Sequence, residues 1–195
     1  MSINSSWATR GMVVAPHALA AQSGLAVLRE GGNALEAMVA AAATISVVYP
    51  HMNGIGGDSF WLIHAPGEEV TTIDACGRAA GRATPDFYRE HKLSAIPVRG
   101  PLAANTVAGT ISGWALALDC SRKEWGGRLP LARLLEDSIH YAEHGIAVTN
   151  SQFANTTAKL AELKQVPGFG GRFLINGSVP PAGSLFKQPK LATTM

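Results

Sequence analysis

The feature that most constrains this fold is a helix without a polar face, enclosed between two glycine-rich turns. Residues 31–37 read GGNALEA, residues 50–60 read PHMNGIGGDSF, and the segment between them is almost entirely small and apolar. A helix that is apolar on every side lies in a protein core or in a membrane, and this one is shorter than the ~20 apolar residues that a membrane-spanning helix needs. The sequence therefore predicts a core helix, with alanines that allow close packing against a sheet.

The first of these turns carries the signals of a helix end followed by a helix start. Gly31 and Gly32 end a preceding helix that Pro16 opens, because glycine accepts the left-handed conformation found after helices. Asn33 is a favourable N-cap, and Glu36 three residues later completes the pattern of a capping box. The predicted order is helix, tight turn, buried helix, glycine turn and strand.

A β-hairpin is predicted directly after the second turn. Residues 60–64 (FWLIH) and 70–74 (VTTID) are rich in aromatic and β-branched side chains, and residues 66–69 (PGEE) between them have turn chemistry. The first four residues of the hairpin leave no polar face, so we expect both faces to be covered. A sheet that is sandwiched between helices fits this pattern.

Most of the remaining chain is predicted to be helical and to belong to one domain. The 195 residues are enough for one good core, and the sequence contains no internal repeat. Leucines recur at helical spacing ahead of Gly145, which we expect to end that helix. The predicted helices cover residues 86–91, 111–120, 130–144 and 151–165, a further helix starts at Pro189, and residues 166–184 are predicted to be a loop.

Composition and charge exclude several function classes. Hydrophobic residues make up 47% of the chain and charged residues 15%, which favours a globular protein. The 16 lysines and arginines are scattered among 14 acidic residues, so neither nucleic acid nor a membrane is an expected partner. The two cysteines are too few for a disulfide framework and lack metal-ligand spacing. The first residues lack the basic start and apolar stretch of a secretory signal, which predicts a cytoplasmic protein.

These segments resemble the gamma-glutamyltranspeptidase family of N-terminal-nucleophile (Ntn) hydrolases. The resemblance implies an α/β fold of the α+β kind, a four-layer αββα sandwich that is incomplete in this chain. Residues 1–195 would then be a single partial domain, the N-terminal part of the large subunit. The most specific block is residues 31–60, and the other landmarks are residues 11–17, 74–79, 83–86, 108–114 and 127–130.

The resemblance implies an enzyme, an amide hydrolase or transferase that is made as a zymogen. In this family, autoproteolysis frees a threonine whose α-amino group is the general base for its own hydroxyl, and backbone N–H groups stabilise the oxyanion. This chemistry needs no metal and no cofactor. The threonine and the oxyanion hole belong to the small subunit, so we expect no catalytic residue within residues 1–195.

The same resemblance predicts the partners. They are the small catalytic subunit from the same precursor and a small-molecule amide substrate, and a dimer of processed heterodimers is a further option. Oxamate, the gamma-glutamyl compounds of glutathione metabolism and the acyl side chains of β-lactams lie within the family's known range.

Arg78 is the candidate residue for binding the substrate carboxylate. Its guanidinium is a planar fork that can donate two hydrogen bonds to a carboxylate, and it follows the second hairpin strand in a glycine-flanked loop. The alternative is a surface ion pair of Arg78 with Asp74 or Asp86. Arg82 is the second candidate if the register of the family motif is shifted.

The sequence departs from the true transpeptidases at this loop. They carry an Arg-Glu-Thr-Ala-Pro type of motif after the second strand, whose arginine binds the glutamyl α-carboxylate. Residues 76–81 read CGRAAG, so the arginine is present but the glutamate and proline are not. The altered loop, together with the lack of a signal, favours an intracellular hydrolase of a small carboxylate-bearing amide.

Three local patterns suggest other interpretations. Residues 54–59 (GIGGDS) resemble a phosphate loop, but their glycines follow a helix and precede a strand, the reverse of a dinucleotide fingerprint. Residues 140–144 (HYAEH) match a zinc-peptidase pattern, yet no partner helix offers an obvious third ligand. Thr193 and Thr194 look like a cleavage pair but lie at a helix start, so we expect a structural role.

Other side chains that a cofactor could use are expected in the core instead, namely Met38, Met52, Trp61, Trp114 and Cys76. For Cys76 the alternative is a thiol whose pKa is lowered beside Arg78. Another function class also stays open, because the chain holds no candidate nucleophile with an oxyanion partner. It could be a non-catalytic scaffold or a degenerate relative, and a zinc peptidase is the third hypothesis.

Overall fold

The helices and strands follow the predicted order in most places. The computed structural model describes residues 5–195, which form two compact units. The first unit comprises the residues up to 53 together with 116–145 and 187–195, and the second comprises residues 54–115 and 146–186. The helices are α1 Ala18–Arg29, α2 Ala34–Val48, α3 Pro85–Glu90, α4 Thr110–Glu124, α5 Leu131–His144, α6 Asn150–Leu163, α7 Phe169–Phe173 and α8 Pro189–Thr194. The strands are β1 Ser59–Ile63, β2 Thr71–Ala75, β3 Ile146–Ala147 and β4 Leu185–Phe186.

The corner between α1 and α2 forms as its glycines and polar residues predict. Helix α1 ends at Arg29, and Gly31 has a φ of 87°, a left-handed conformation that glycine adopts without strain. The Asn33 side chain accepts hydrogen bonds from the N–H groups of Leu35 and Glu36, both at 3.1 Å. In return the Glu36 carboxylate accepts a hydrogen bond from the Asn33 N–H at 2.9 Å. The predicted capping box is therefore confirmed.

Helix α2 is the centre of the first unit. It packs against α1 and α5, and its residues Val39, Val47 and Val48 are completely buried. The predicted core helix is confirmed, although its described neighbours are helices and not a sheet. The predicted burial of two methionines is wrong, because Met38 is 43% exposed on a side of α2 that the described chain leaves open and Met52, after the helix, is 66% exposed.

Polar groups inside the first unit join segments that are distant in sequence. Glu36 is 2% exposed, and its carboxylate also accepts hydrogen bonds from the N–H groups of Arg128 and Leu129, both at 2.7 Å. The buried Ser23 hydroxyl on α1 donates to the Asp137 carboxylate on α5 at 2.7 Å. Buried polar groups need such partners, and these bonds also tie the helices to each other.

The second unit contains the predicted hairpin, with one face open. β1 and β2 pair antiparallel, with Trp61 opposite Ile73. Side chains alternate between the faces of a strand, and on one face Phe60 and Leu62 are 71% and 83% exposed. Gly113 near the start of α4 approaches the other face, beside Trp61. The prediction that both faces are covered is therefore wrong for the described residues, because the start of α4 lies only on the side of Trp61.

Short elements account for most of the remaining differences. β3 and β4 were not predicted, since each is two residues long and too short to show an alternating pattern. Helix α7 lies inside the predicted loop at 166–184. The resemblance to the family implies its first strand and turn at residues 11–17, but no strand is formed there in the described chain. The tryptophan at position 114 is 5% exposed, as predicted for a core residue.

Helices combined with small antiparallel sheets give an α+β fold. This confirms the predicted class, and the described residues contribute two two-stranded sheets to it. Within residues 5–195, none of the helices combines the length and the apolar character needed to span a lipid bilayer.

Candidate active-site loop

The loop that carries Arg78 is held by its own backbone. The Arg78 carbonyl accepts a hydrogen bond from the Val107 N–H at 2.9 Å, and the Ala80 N–H donates to the Asn105 carbonyl at 2.8 Å. The loop after β2 therefore runs alongside residues 105–107. This pairing holds the backbone of Arg78 and leaves its side chain available.

Two glycines allow these backbone segments to approach closely. A Cβ atom on Gly77 would lie 1.3 Å from the carbonyl oxygen of Val107, and one on Gly109 would lie 2.0 Å from that of Ala75. Both collisions would be with backbone atoms, which cannot move out of the way by changing a rotamer as a flexible side chain can. Glycine is therefore required at both positions.

The glycine turn before β1 caps helix α4. The Gly57 carbonyl accepts hydrogen bonds from the N–H groups of Gly109 and Thr110, both at 2.9 Å, and from the Thr110 hydroxyl at 2.8 Å. The first N–H groups of a helix have no partner within the helix, and here a carbonyl oxygen supplies one. The turn thus joins the hairpin to α4, a structural role that suits its place between a helix and a strand.

Asp58 connects the same turn to the Arg78 loop. Its carboxylate accepts a hydrogen bond from the Gly77 N–H at 3.2 Å and lies 3.6 Å from the Cys76 sulfur. Partial desolvation and the Asp58 charge, followed by the charge of Asp74, raise the pKa of the Cys76 thiol. Cys76 is exposed, so its predicted burial is wrong. The alternative of a lowered pKa is also wrong, because carboxylates lie where a cation would be needed.

Arg78 lies at an open cleft of the second unit. Among residues 5–195 it forms neither an ion pair nor a side-chain hydrogen bond. The alternative of a surface pair with an aspartate is not realised, since Asp74 accepts from the Cys76 N–H at 3.0 Å and Asp86 pairs with Arg89 at 2.6 Å. The cleft has a volume of about 290 Å³ and is lined by residues 74–78, Val107, Ala108, Gly109 and Ser112.

Arg82, the second candidate, lines a different cleft. This cleft has a volume of about 120 Å³, and Ala80, Phe87 and Leu102 also contribute to it. Arg82 is exposed and, like Arg78, has no ion-pair partner within the described part of the chain. Because the two arginines line different clefts, substitutions can distinguish them.

The histidines of residues 140–144 and the threonines at 193 and 194 contact groups that are close to them in the sequence. His140 and His144 stack with 4.4 Å between ring centroids, and Nδ1 of His144 lies 3.1 Å from the His140 carbonyl oxygen. Across the residues that the structure describes, no three His, Cys, Asp or Glu side chains are placed to hold a metal ion. The hydroxyls of Thr193 and Thr194 donate to the carbonyls four residues earlier, at 3.1 and 2.9 Å, as helical threonines commonly do.

Sequence reasoning missed the contribution of Asp58 to this site. The available signal was a carboxylate between a glycine turn and a strand, without the lysine that a phosphate loop would carry. Its partner Gly77 lies beyond the whole hairpin, so only the paired strands bring the two residues together.

Comparison with known proteins defines the class to which this fold and loop belong. Residues 20–195 match the family model described as gamma-glutamyltranspeptidase. The match covers most of the sequence, and the chain therefore belongs to the gamma-glutamyltranspeptidase family.

Two curated relatives of the chain are proenzymes. The oxamate amidohydrolase proenzyme of Klebsiella pneumoniae is 57% identical over 98% of this chain, which covers 36% of that protein. A glutathione hydrolase-like proenzyme of Bacillus subtilis is 41% identical over 96% of this chain, which covers 34% of it. The chain thus spans about a third of the length of these relatives.

Solved structures of the family have the same fold. The crystal structure of Helicobacter pylori gamma-glutamyltranspeptidase aligns with a TM-score of 0.86 and 27% identity, over 98% of this chain and 54% of that one. A gamma-glutamyltranspeptidase from Pseudomonas nitroreducens aligns with a TM-score of 0.81 and 32% identity, over 96% of this chain and 54% of that one.

Proposed function

We propose that the full-length protein hydrolyses the amide bond of a small carboxylate-bearing amide, with oxamate as the first candidate substrate. The observation that carries the proposal is the Arg78 guanidinium, which lines an open cleft without an ion partner among the described residues. The 57% identity to an oxamate amidohydrolase proenzyme supports both the reaction and the substrate class.

In this proposal Arg78 binds the substrate carboxylate. A guanidinium can donate two parallel N–H groups to a carboxylate, and an arginine without an ion partner has both available. In oxamate the carboxylate is bonded directly to the amide carbon, so a residue that binds the carboxylate also positions the scissile bond. Positioning of this kind lowers the barrier, because the reacting groups are already aligned.

The bond-breaking residues are proposed to lie outside residues 1–195. A threonine released by self-cleavage attacks the amide carbonyl with its hydroxyl, and its own α-amino group takes the proton. Backbone N–H groups stabilise the oxyanion, ammonia leaves, and water hydrolyses the acyl-enzyme. The present chain then binds and orients the substrate, while the small subunit carries the nucleophile.

The small subunit from the same precursor is the proposed partner of the hairpin. Phe60 and Leu62 place two large apolar side chains on one exposed face of β1. Exposed apolar strand faces promote association, and most of the relatives' length lies outside the part that matches this chain. A layer from the rest of the precursor would cover this face and extend the sandwich.

Two expectations about the whole protein stay predictions. A dimer of processed heterodimers is tested by light scattering of the full-length protein. The cytoplasmic location is tested by fractionating cells that produce it with a C-terminal tag.

The substrate proposal is tested with Arg78→Ala and Arg82→Ala in the full-length protein, using oxamate and its uncharged analogue oxamide. Mass spectrometry first verifies that each variant, like the parent protein, appears as two fragments of which the smaller begins with threonine. We expect Arg78→Ala to raise KM for oxamate about 30-fold, the size of a charge-assisted pair. The kcat/KM for oxamide should stay within about threefold, since oxamide has no carboxylate for the guanidinium to bind.

Three other outcomes would change the assignment. Equal losses on both substrates would remove the carboxylate-binding role from Arg78. A loss on oxamate in Arg82→Ala alone would assign that role to Arg82. A full-length protein that is never cleaved and hydrolyses neither amide would support the non-catalytic scaffold.

A further inference from the structure

We propose that Asp58 is a positioning residue, whose carboxylate holds the Gly77 N–H and thereby orients the Arg78 guanidinium for the substrate carboxylate. The inference rests on the proposed function of Arg78 and concerns how its loop is held. Asp58 does not touch the substrate in this proposal and acts only through the loop.

The Arg78 loop is held on two sides by different kinds of contact. On one side, the Arg78 carbonyl and the Ala80 N–H pair with the backbone of residues 105–107. On the other side, the Gly77 N–H donates to the Asp58 carboxylate at 3.2 Å. The first contact begins at the carbonyl of Arg78, so the peptide between Cys76 and Gly77, one residue before Arg78, depends on the second.

Glycine at position 77 makes the second contact important. Gly77 is required because a Cβ there would lie 1.3 Å from the Val107 carbonyl oxygen. A glycine also has more conformational freedom than any other residue, so the backbone at Gly77 depends on its contacts to keep one conformation. The bond to Asp58 limits that freedom, since it fixes the Gly77 N–H and with it the peptide on the N-terminal side of Gly77.

Asp58 is itself well placed to serve as an anchor. The carbonyl of the preceding Gly57 accepts three hydrogen bonds from the start of α4, two from N–H groups at 2.9 Å and one from the Thr110 hydroxyl at 2.8 Å. Directly after Asp58 the chain enters β1, which pairs along its whole length with β2. The carboxylate is therefore presented from a backbone that is bonded on both sides.

The thiol of Cys76 adds a second contact to the same carboxylate. Its sulfur lies 3.6 Å from the other carboxylate oxygen of Asp58. Partial desolvation and the neighbouring acidic charges raise the pKa of this thiol, which keeps it protonated and able to donate. Asp58 thus contacts two consecutive residues that lead into Arg78.

A direct effect of the Asp58 charge on the substrate is the competing explanation. A carboxylate near the cleft would repel the substrate carboxylate, and its removal would then lower KM for oxamate. Asp58→Asn separates the two explanations, because the amide oxygen can still accept from the Gly77 N–H while the charge is gone.

The experiment compares Asp58→Ala, Asp58→Asn and the control Asp119→Ala in the processed full-length protein. Asp119 is an exposed aspartate on α4 whose one ion pair among residues 5–195 is with Arg122, at 3.5 Å. Because Asp58 is exposed and water competes for its bonds, we expect Asp58→Ala to raise KM for oxamate about fivefold, the size of one net hydrogen bond. We expect kcat for oxamate and kcat/KM for oxamide to change by less than about twofold, and Asp58→Asn to restore KM.

A double mutant shows whether Asp58 acts through Arg78. In the Arg78→Ala background, Asp58→Ala should have no further effect on KM for oxamate, because its only route to the substrate is gone. If Asp58→Ala does not fold, Asp58→Ser gives the same comparison, since its side chain is one bond shorter and places its oxygen farther from the Gly77 N–H.

The results distinguish this inference from the function on which it rests. If Arg78→Ala affects oxamate and oxamide equally, the carboxylate-binding role itself is wrong. If Arg78→Ala is selective for oxamate but the Asp58 effect persists in the double mutant, the positioning role is wrong and the carboxylate-binding role stands. A KM below that of the parent protein in Asp58→Asn would also overturn the positioning role, because the charge would then act on the substrate directly.

Discussion

Glu36 shows how one buried side chain can stabilise two distant segments. Its carboxylate accepts hydrogen bonds from the N–H groups of Asn33, Arg128 and Leu129. The first bond belongs to the capping box of α2, whereas the other two hold the chain just before α5. A buried carboxylate is stable only when it is surrounded by donors, and these three backbone groups supply them.

Replacing Glu36 with alanine should lower the apparent free energy of unfolding of the full-length protein by about 3 kcal/mol, because three backbone N–H groups lose their acceptor. Glu36→Gln keeps one acceptor oxygen and should lose about half as much. Glu143→Ala, at an exposed position on α5, is the control and should change it by less than about 0.5 kcal/mol. Urea denaturation followed by circular dichroism measures all three, and a loss below about 1 kcal/mol for Glu36→Ala would argue against the role of these bonds.

At the scale of elements, the Arg78 loop is built from backbone pairing rather than from packed side chains. Gly77 and Gly109 bring backbone against backbone, and residues 105–107 supply the partners. Such a loop depends on the absence of side chains at two positions. A second glycine of the same loop, Gly81, is in open space and should not be needed.

Gly77→Ala and Gly81→Ala form a matched pair of substitutions. A Cβ on Gly77 would lie 1.3 Å from the Val107 carbonyl oxygen, whereas one on Gly81 would meet nothing within 4 Å. We expect Gly77→Ala to cost about 3 kcal/mol of stability and to raise KM for oxamate. Gly81→Ala should stay within about 0.5 kcal/mol of the parent protein. Thermal melts and oxamate kinetics of the full-length protein test the pair, and similar values for both variants would contradict the close approach.

At the scale of the whole molecule, the main feature is the face of the hairpin that the described residues leave open. Phe60 and Leu62 lie on this face at 71% and 83% exposure, while Ile63 on the other face is 6% exposed. The chain spans about a third of the length of its curated relatives. We infer that the rest of the full-length protein covers this face.

Leu62→Asp should therefore destabilise the full-length protein by about 3 kcal/mol, since it would place a charge in a covered apolar layer. Val98→Asp is the matched control, because Val98 is 89% exposed at a position outside the hairpin. It should change stability by less than about 0.5 kcal/mol. Thermal melts and the extent of self-cleavage are the measurements, and equal behaviour of the two variants would show that the hairpin face stays open to solvent.

The sequence predicted those features whose signals are local. The glycine corner, the Asn33 and Glu36 capping box and the turn between β1 and β2 each depend on residues within a few positions of one another. The burial of α2 was also predictable, because a helix without a polar face lies either in a protein core or in a membrane. The exposure of Phe60 and Leu62 was not, since the same apolar pattern suits a strand that is covered by this chain or by another part of the protein.

By itself, the sequence determined the order of the main elements, the N-terminal cap of α2, the family and the candidate Arg78. Only the tertiary structure decided that Arg78 lacks an ion partner among the described residues, that Cys76 is exposed beside carboxylates, and that Asp58 holds Gly77. The physical reason is the separation along the chain of the residues that interact. Capping and turn formation depend on neighbours along the chain, whereas the contacts of the loop arise only after β1 and β2 have paired and α4 has packed beside them.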